Sequence, residues 1–155
     1  MKIVLLPLLL LISTSCTPPT APQSIRWSNS DLDEMSHKMV QNMLRSSAIK
    51  CSNKNIYYFA PIRNDTHDQI ETNLLKHRII SLLTQGKKFN ITEKKEQASL
   101  YTIRGKISSI FKKNNQEKDI FFHFNLSITE NHSSLLIYSH DIEIRKHLTR
   151  PLLSW

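Results

Sequence analysis

Phe122-His123-Phe124-Asn125-Leu126-Ser127-Ile128-Thr129 alternates large apolar and polar residues at a period of two, the pattern of a β-strand with one face buried and the other wet. Its neighbours repeat the pattern. Upstream, Ile103, Gly105, Ile107, Ser109 and Phe111 recur at the same spacing. Downstream, a loop over 130–134 returns the chain as a third strand, 135–146, so the end of the sequence predicts a three-stranded antiparallel meander. If the loop pairs Thr129 with Leu135, Ile128 faces Leu136, Leu126 faces Tyr138, Phe124 faces His140 and Phe122 faces Ile142. One face of the pair is then apolar except for His140. The same register sets His123 opposite Asp141. With no Ser or Cys nucleophile beside them, these two are expected to form an exposed cross-strand ion pair and not a catalytic couple.

Toward the N-terminus the period changes. A short strand over 89–92 precedes the charged run Glu93-Lys94-Lys95-Glu96. Before it, Leu75, Ile79, Leu82 and Leu83 fall on one face of a helix predicted over 73–85, with Gly86 at the left-handed C′ position and Lys87 and Lys88 favouring the dipole. A polar loop, Arg63-Asn64-Asp65-Thr66, follows a strand over 56–62 rich in aromatic and β-branched residues, in which Pro61 lacks a donor. Leu32, Met35, Met39, Val40, Met43 and Leu44 predict a helix over 31–46, capped by Ser30 or Asp31. Its methionine stripe is expected in the core. The fold class is therefore α+β: a small single domain with a mainly antiparallel sheet of about five strands and two main helices packed on it.

The whole composition limits what this domain does. A chain of 155 residues with 39% hydrophobic and 22% charged residues supports one domain. Two glycines, Gly86 and Gly105, are too few and too far apart for a phosphate-binding loop, a dinucleotide fingerprint or a nucleophile elbow. The seven histidines are dispersed without metal-ligand spacing, so no metal, no cofactor and no catalysis are expected. The formal net charge of +8 invites a nucleic-acid reading, but stacking aromatics interleaved with the basic residues are sparse. An acidic protein partner, anionic lipid or acidic cell-wall polymer fits the charge better.

The first residues are expected to be removed. Met1-Lys2, an apolar run over 3–12 and Ser13-Thr14-Ser15-Cys16 resemble a bacterial lipoprotein signal with its lipobox, which makes 1–15 a signal peptide and Cys16 the lipidated residue. The run is too short for a permanent span, whereas several acyl chains hold firmly. The segment 16–29, with Pro18, Pro19 and Pro22, reads as a tether reaching roughly 40 Å when extended. The domain proper is placed at 30–147, with 148–155 as an apolar tail. Cys51 then has no intramolecular partner and is expected to be a packing residue.

Over these elements the sequence resembles the LpoB family of outer-membrane lipoproteins. The resemblance is carried by Ser30-Asp31-Leu32, Lys38-Met39-Val40 and Leu44, then by Ile62-Arg63-Asn64-Asp65-Thr66. It continues through Ile70-Glu71-Thr72, Ile79, Leu82-Leu83, Gly86-Lys87 and Phe89, and ends with Tyr138-Ser139 and Glu143-Ile144-Arg145-Lys146. The resemblance implies a fold similar to the TolB N-terminal domain and a role in regulating cell-wall synthesis. The protein would be anchored by lipid in the outer membrane, facing the periplasm, and would activate a bifunctional (class A) penicillin-binding protein. Thr17 after the lipid-bearing cysteine, in place of a retention Asp, agrees with that membrane. It implies no enzyme activity of its own, no nucleic-acid partner and a basic face that meets an acidic accessory domain of the synthase; a monomeric domain is expected. The basic candidates are Arg104, Lys106, Lys112, Lys113, Arg145 and Lys146, while Asn64 and Thr66 match the family's loop motif and are expected to shape the turn. The alternative is a structural envelope lipoprotein that binds acidic polymer or lipid without activating a synthase.

Overall fold

The computed structural model describes residues 26–49, 55–85, 89–95, 98–113 and 117–149. The expected signal peptide, Cys16, most of the tether, Cys51, Gly86, Lys87, Lys88 and the tail after Thr149 lie outside them. Two helices and six strands follow in the order α1 (Asn29–Arg45), β1 (Ile56–Phe59), β2 (Arg63–Asp65), α2 (Thr72–Gln85), β3 (Asn90–Thr92), β4 (Tyr101–Lys113), β5 (Glu117–Glu130) and β6 (Leu136–Thr149).

The alternating stretch forms the middle of β5. Phe122, Phe124, Leu126 and Ile128 are buried, and the residues between them are half-exposed. β5 pairs antiparallel with β4 along 13 residues of each strand and with β6 on its other side. The sheet order is β3-β1-β4-β5-β6. β1 runs parallel to both β3 and β4, so the sheet is mixed, with the long meander supplying its antiparallel part.

Both helices cover one face of this sheet. The apolar stripe of α1 buries Leu32, Met35, Met39, Val40 and Met43, as its helical spacing requires, and α2 contributes Leu75, Ile79 and Leu83. Burying a side chain of this size is worth about 1.5–3 kcal/mol, so the methionines are core residues. The helix starts earlier than predicted, with Ser28 at the N-cap in place of Ser30 or Asp31. Asp31 takes the N3 position, where its carboxylate accepts from the Ser28 backbone N–H at 2.7 Å and the Ser28 hydroxyl at 2.6 Å. An ion pair between Arg78 and Asp33 ties the two helices together.

Two further expectations need correction. The segment 63–66 is not only a loop: Arg63–Asp65 forms β2, parallel to β4 from Lys106 to Ser108, which gives six strands in place of about five. β1 and β2 are successive pieces along one edge of β4, interrupted at Ala60-Pro61-Ile62, where proline has no N–H for the ladder. Ile62 fills the space beside Gly105, where an added Cβ would stand 2.9 Å from Ile62 Cγ1.

The predicted register of the last hairpin is also wrong, by two residues. Ile128 opposes Tyr138, Leu126 opposes His140, Phe124 opposes Ile142, Phe122 opposes Ile144, and His123 meets Glu143 in place of Asp141. The turn contributes one residue of this shift, because Thr129 pairs with Leu136 and not Leu135, with Ser134 at φ 57°. A bulge between Ile128 and Thr129, which leaves Ile137 as the extra residue of β6, contributes the other. Two single shifts restore the parity, so the apolar face predicted for the pair is the face that packs.

Candidate functional site

Among the described residues nothing covers the face of the sheet away from the helices, and strand alternation decides which basic residues reach it. Arg104 and Lys106 sit between the buried Ile103 and Ile107 and project onto the open face, opposite Ser127 and Asn125. Arg63 of β2 pairs alongside Lys106. Together with Ala60, Pro61, Gly105, Asn125 and Ser127, these cations line a shallow groove of about 370 Å³ at the interruption between β1 and β2.

Asp65 organises one wall of this groove. Its carboxylate is 2.8 Å from Arg63 Nη2 and 3.5 Å from Lys106 Nζ. Burial alone pushes its pKa up, but the Arg63 hydrogen bond and charge, with Lys106 behind them, outweigh that and hold it below the usual carboxylate value. Arg104 is the exception. Among the described residues its one hydrogen bond is a long one, to Thr129 Oγ1 at 3.5 Å, and no carboxylate pairs with it. A guanidinium presented this way is free to take a carboxylate through two parallel hydrogen bonds.

Farther along the same face, Phe121 lies between two cations, with Lys112 Nζ 5.0 Å and the Arg145 guanidinium carbon 5.5 Å from the ring centre. Arg145 also donates to both oxygens of Asp119, at 3.2 and 2.8 Å, and His147 Nδ1 is 2.6 Å from the same carboxylate. The Arg145 hydrogen bond first, and the His147 one second, hold Asp119 below its ordinary pKa. His123 and Glu143 lie between the two clusters, 3.3 Å apart.

The six basic candidates therefore divide. Arg104, Lys106, Lys112 and Arg145 share the open face. Lys113 falls on the helix side by alternation, and Lys146 reaches under α1 to Asp31 at 2.7 Å, where it closes the fold. Sequence reasoning missed Arg63, because a basic residue in an apparent polar loop carries no facing information until the loop is known to pair with β4. Asn64 and Thr66 shape the backbone. Asn64 Oδ1 accepts from the Thr66 N–H at 3.0 Å and its hydroxyl at 2.8 Å, Asn64 Nδ2 donates to the Asp68 carbonyl at 2.9 Å, and Thr66 Oγ1 accepts from the Asp68 N–H at 3.1 Å. Among the described residues, no three His, Cys, Asp or Glu side chains come together to hold a metal ion.

A family model described as peptidoglycan-synthase activator LpoB matches residues 31–101, from α1 to the first residue of β4. Over that stretch the chain is LpoB-like. Solved LpoB domains share the fold. The C-terminal domain of LpoB from Escherichia coli superposes with a TM-score of 0.54 at 10% identity, covering 74% of this chain and 98% of that one. The corresponding LpoB domain from Salmonella enterica gives a TM-score of 0.52 at 10% identity, with the same coverage. No curated protein matches the sequence. The LpoB-matched stretch ends at residue 101, so the six basic candidates lie beyond it.

Proposed function

We propose that this protein is a lipid-anchored periplasmic module that docks on a bifunctional class A penicillin-binding protein and raises its rate of peptidoglycan polymerisation. The observation that carries the role is the match of 31–101 to a family of peptidoglycan-synthase activators, supported by the LpoB-like fold. The docking face is argued from geometry. Arg104, Lys106 and Arg63 around the groove, with Arg145 farther along, offer a cationic surface to an acidic domain of the synthase. Arg104 is its centre because it enters the complex without first giving up an ion pair.

Binding alone does not activate. The lipoprotein must bind the more active state of the synthase better than the less active one, by a coupling of about 1–3 kcal/mol for a 5–150-fold effect. Cys16 supplies the anchor in the outer membrane. Among the described residues, no helix is long and apolar enough to cross a membrane.

The test is complex formation between the unlipidated chain and the organism's class A synthase, measured at low and moderate salt. Micromolar binding that weakens with salt, and that weakens at least about tenfold in the Arg104→Glu, Lys106→Glu double variant, is the expected result. Binding to isolated sacculi with none to the synthase would move the protein to the envelope-polymer class.

A further inference from the structure

We propose that the end of β4 beyond Ser108 is a second membrane contact, which seats Ile110 and Phe111 in the headgroup layer of an anionic phospholipid bilayer and sets Lys112 and Lys113 on its phosphates. The orientation argument rests on the reading of Cys16 as the lipid anchor.

The hairpin outruns its own core. Toward this end the last buried apolar residues of the three long strands are Ile107, Phe122 and Ile144, and β2 stops pairing with β4 at Ser108. Beyond that point, among the described residues, β4 pairs only with β5, and Ile110 and Phe111 are 52% and 55% exposed. Two adjacent large apolar residues standing in water, followed directly by two lysines, make up the mixture that settles at a lipid–water interface, where long cationic side chains keep their heads among phosphates.

The charge arrangement points the same way. Lys113 stands directly opposite Lys118 across the hairpin. Like charges in opposed positions destabilise a strand pair, and among the described residues no carboxylate forms an ion pair with either lysine. An anionic surface removes that repulsion and adds attraction to each lysine.

The chain's own path selects a bilayer over an acidic protein. Trp27, just before α1, packs edge-on against Phe122 with ring centres 5.4 Å apart, and Asp31 in the first turn of α1 binds Lys146. The polypeptide therefore enters the domain at the end that bears the projecting hairpin. Only ten peptide units separate Cys16 from Arg26, a reach of about 35 Å at full extension. A lipid on Cys16 holds this end toward the membrane.

The experiment uses the chain 17–155 made without lipid, which keeps the whole buried core between Leu32 and Ile144. Flotation is measured with vesicles containing phosphatidylglycerol, with neutral phosphatidylcholine vesicles and beside isolated sacculi. The expected result is binding to the anionic vesicles and not the neutral ones. Lys112→Glu with Lys113→Glu should weaken it at least about 25-fold, roughly fivefold for each lysine, and Ile110→Ser with Phe111→Ser should abolish the part that survives high salt. Circular dichroism of both double variants should match the parent. No anionic-vesicle binding, equal binding by the lysine variant, or binding to sacculi alone would overturn the proposal. Palmitate labelling of the full chain, lost in Cys16→Ala, tests the anchor separately, so a labelled protein whose unlipidated form ignores vesicles refutes the hairpin contact and keeps the anchor. Vesicle binding decides the contact whichever way the labelling falls.

Discussion

Asp31 joins two parts of the molecule. One carboxylate closes the first turn of α1 through Ser28 and binds Lys146 of β6, and it is 4% exposed. Removing it loses a cap and strands a half-buried ammonium. Asp31→Ala is therefore expected to cost about 2–4 kcal/mol in urea unfolding, and Lys146→Met roughly half as much, because Ser28 still satisfies the carboxylate. At the other cluster, Arg145 and His147 hold Asp119 below its ordinary value. A depressed carboxylate contributes stability that is present above its unfolded pKa and lost as pH falls through the folded one. The urea midpoint of the parent should accordingly fall more steeply below about pH 4 than that of Asp119→Asn. The sequence showed which residues were basic, and alternation showed that Arg104 and Lys106 share a face. It did not show that Lys146 is taken up by Asp31, since that pair spans the fold and leaves no local pattern.

Elements with a strict period were legible. α1 and β5 each bury one continuous stripe, so spacing alone located them and identified their buried faces. β2 was not legible, because Arg63-Asn64-Asp65 is polar and exposed throughout and becomes a strand only by lying along β4. The β5–β6 register was half legible: the apolar pattern sets which face is buried, but it does not count the residues absorbed by a turn or a bulge. A paired deletion checks this account. Removing Ile137 takes out the bulged residue and leaves every pair from Tyr138 onward in place, so the protein should stay soluble and folded, less the packing Ile137 contributes. Removing Asp141 moves Ile142 and Ile144 to the solvent face and should give an insoluble or unfolded chain.

At the scale of the whole molecule, two helices seal one face of a mixed sheet and leave the other to carry charge. The family match reads α1 to the start of β4, while the proposed docking face is built almost entirely on the meander after it. The basic surplus was visible in the composition; the groove was not, because it arises where β1 breaks at Pro61 and β2 resumes beside Lys106. The central claim is that this open face drives a synthase. The measurement that tests it most directly is the rate of glycan polymerisation by the organism's class A penicillin-binding protein, with and without the unlipidated chain, at low and moderate salt. The account predicts a rate increase that moderate salt reduces and that Arg104→Glu with Lys106→Glu removes while leaving the fold intact. An unchanged rate under conditions where the two proteins form a complex, or full activation by the double variant, would contradict it.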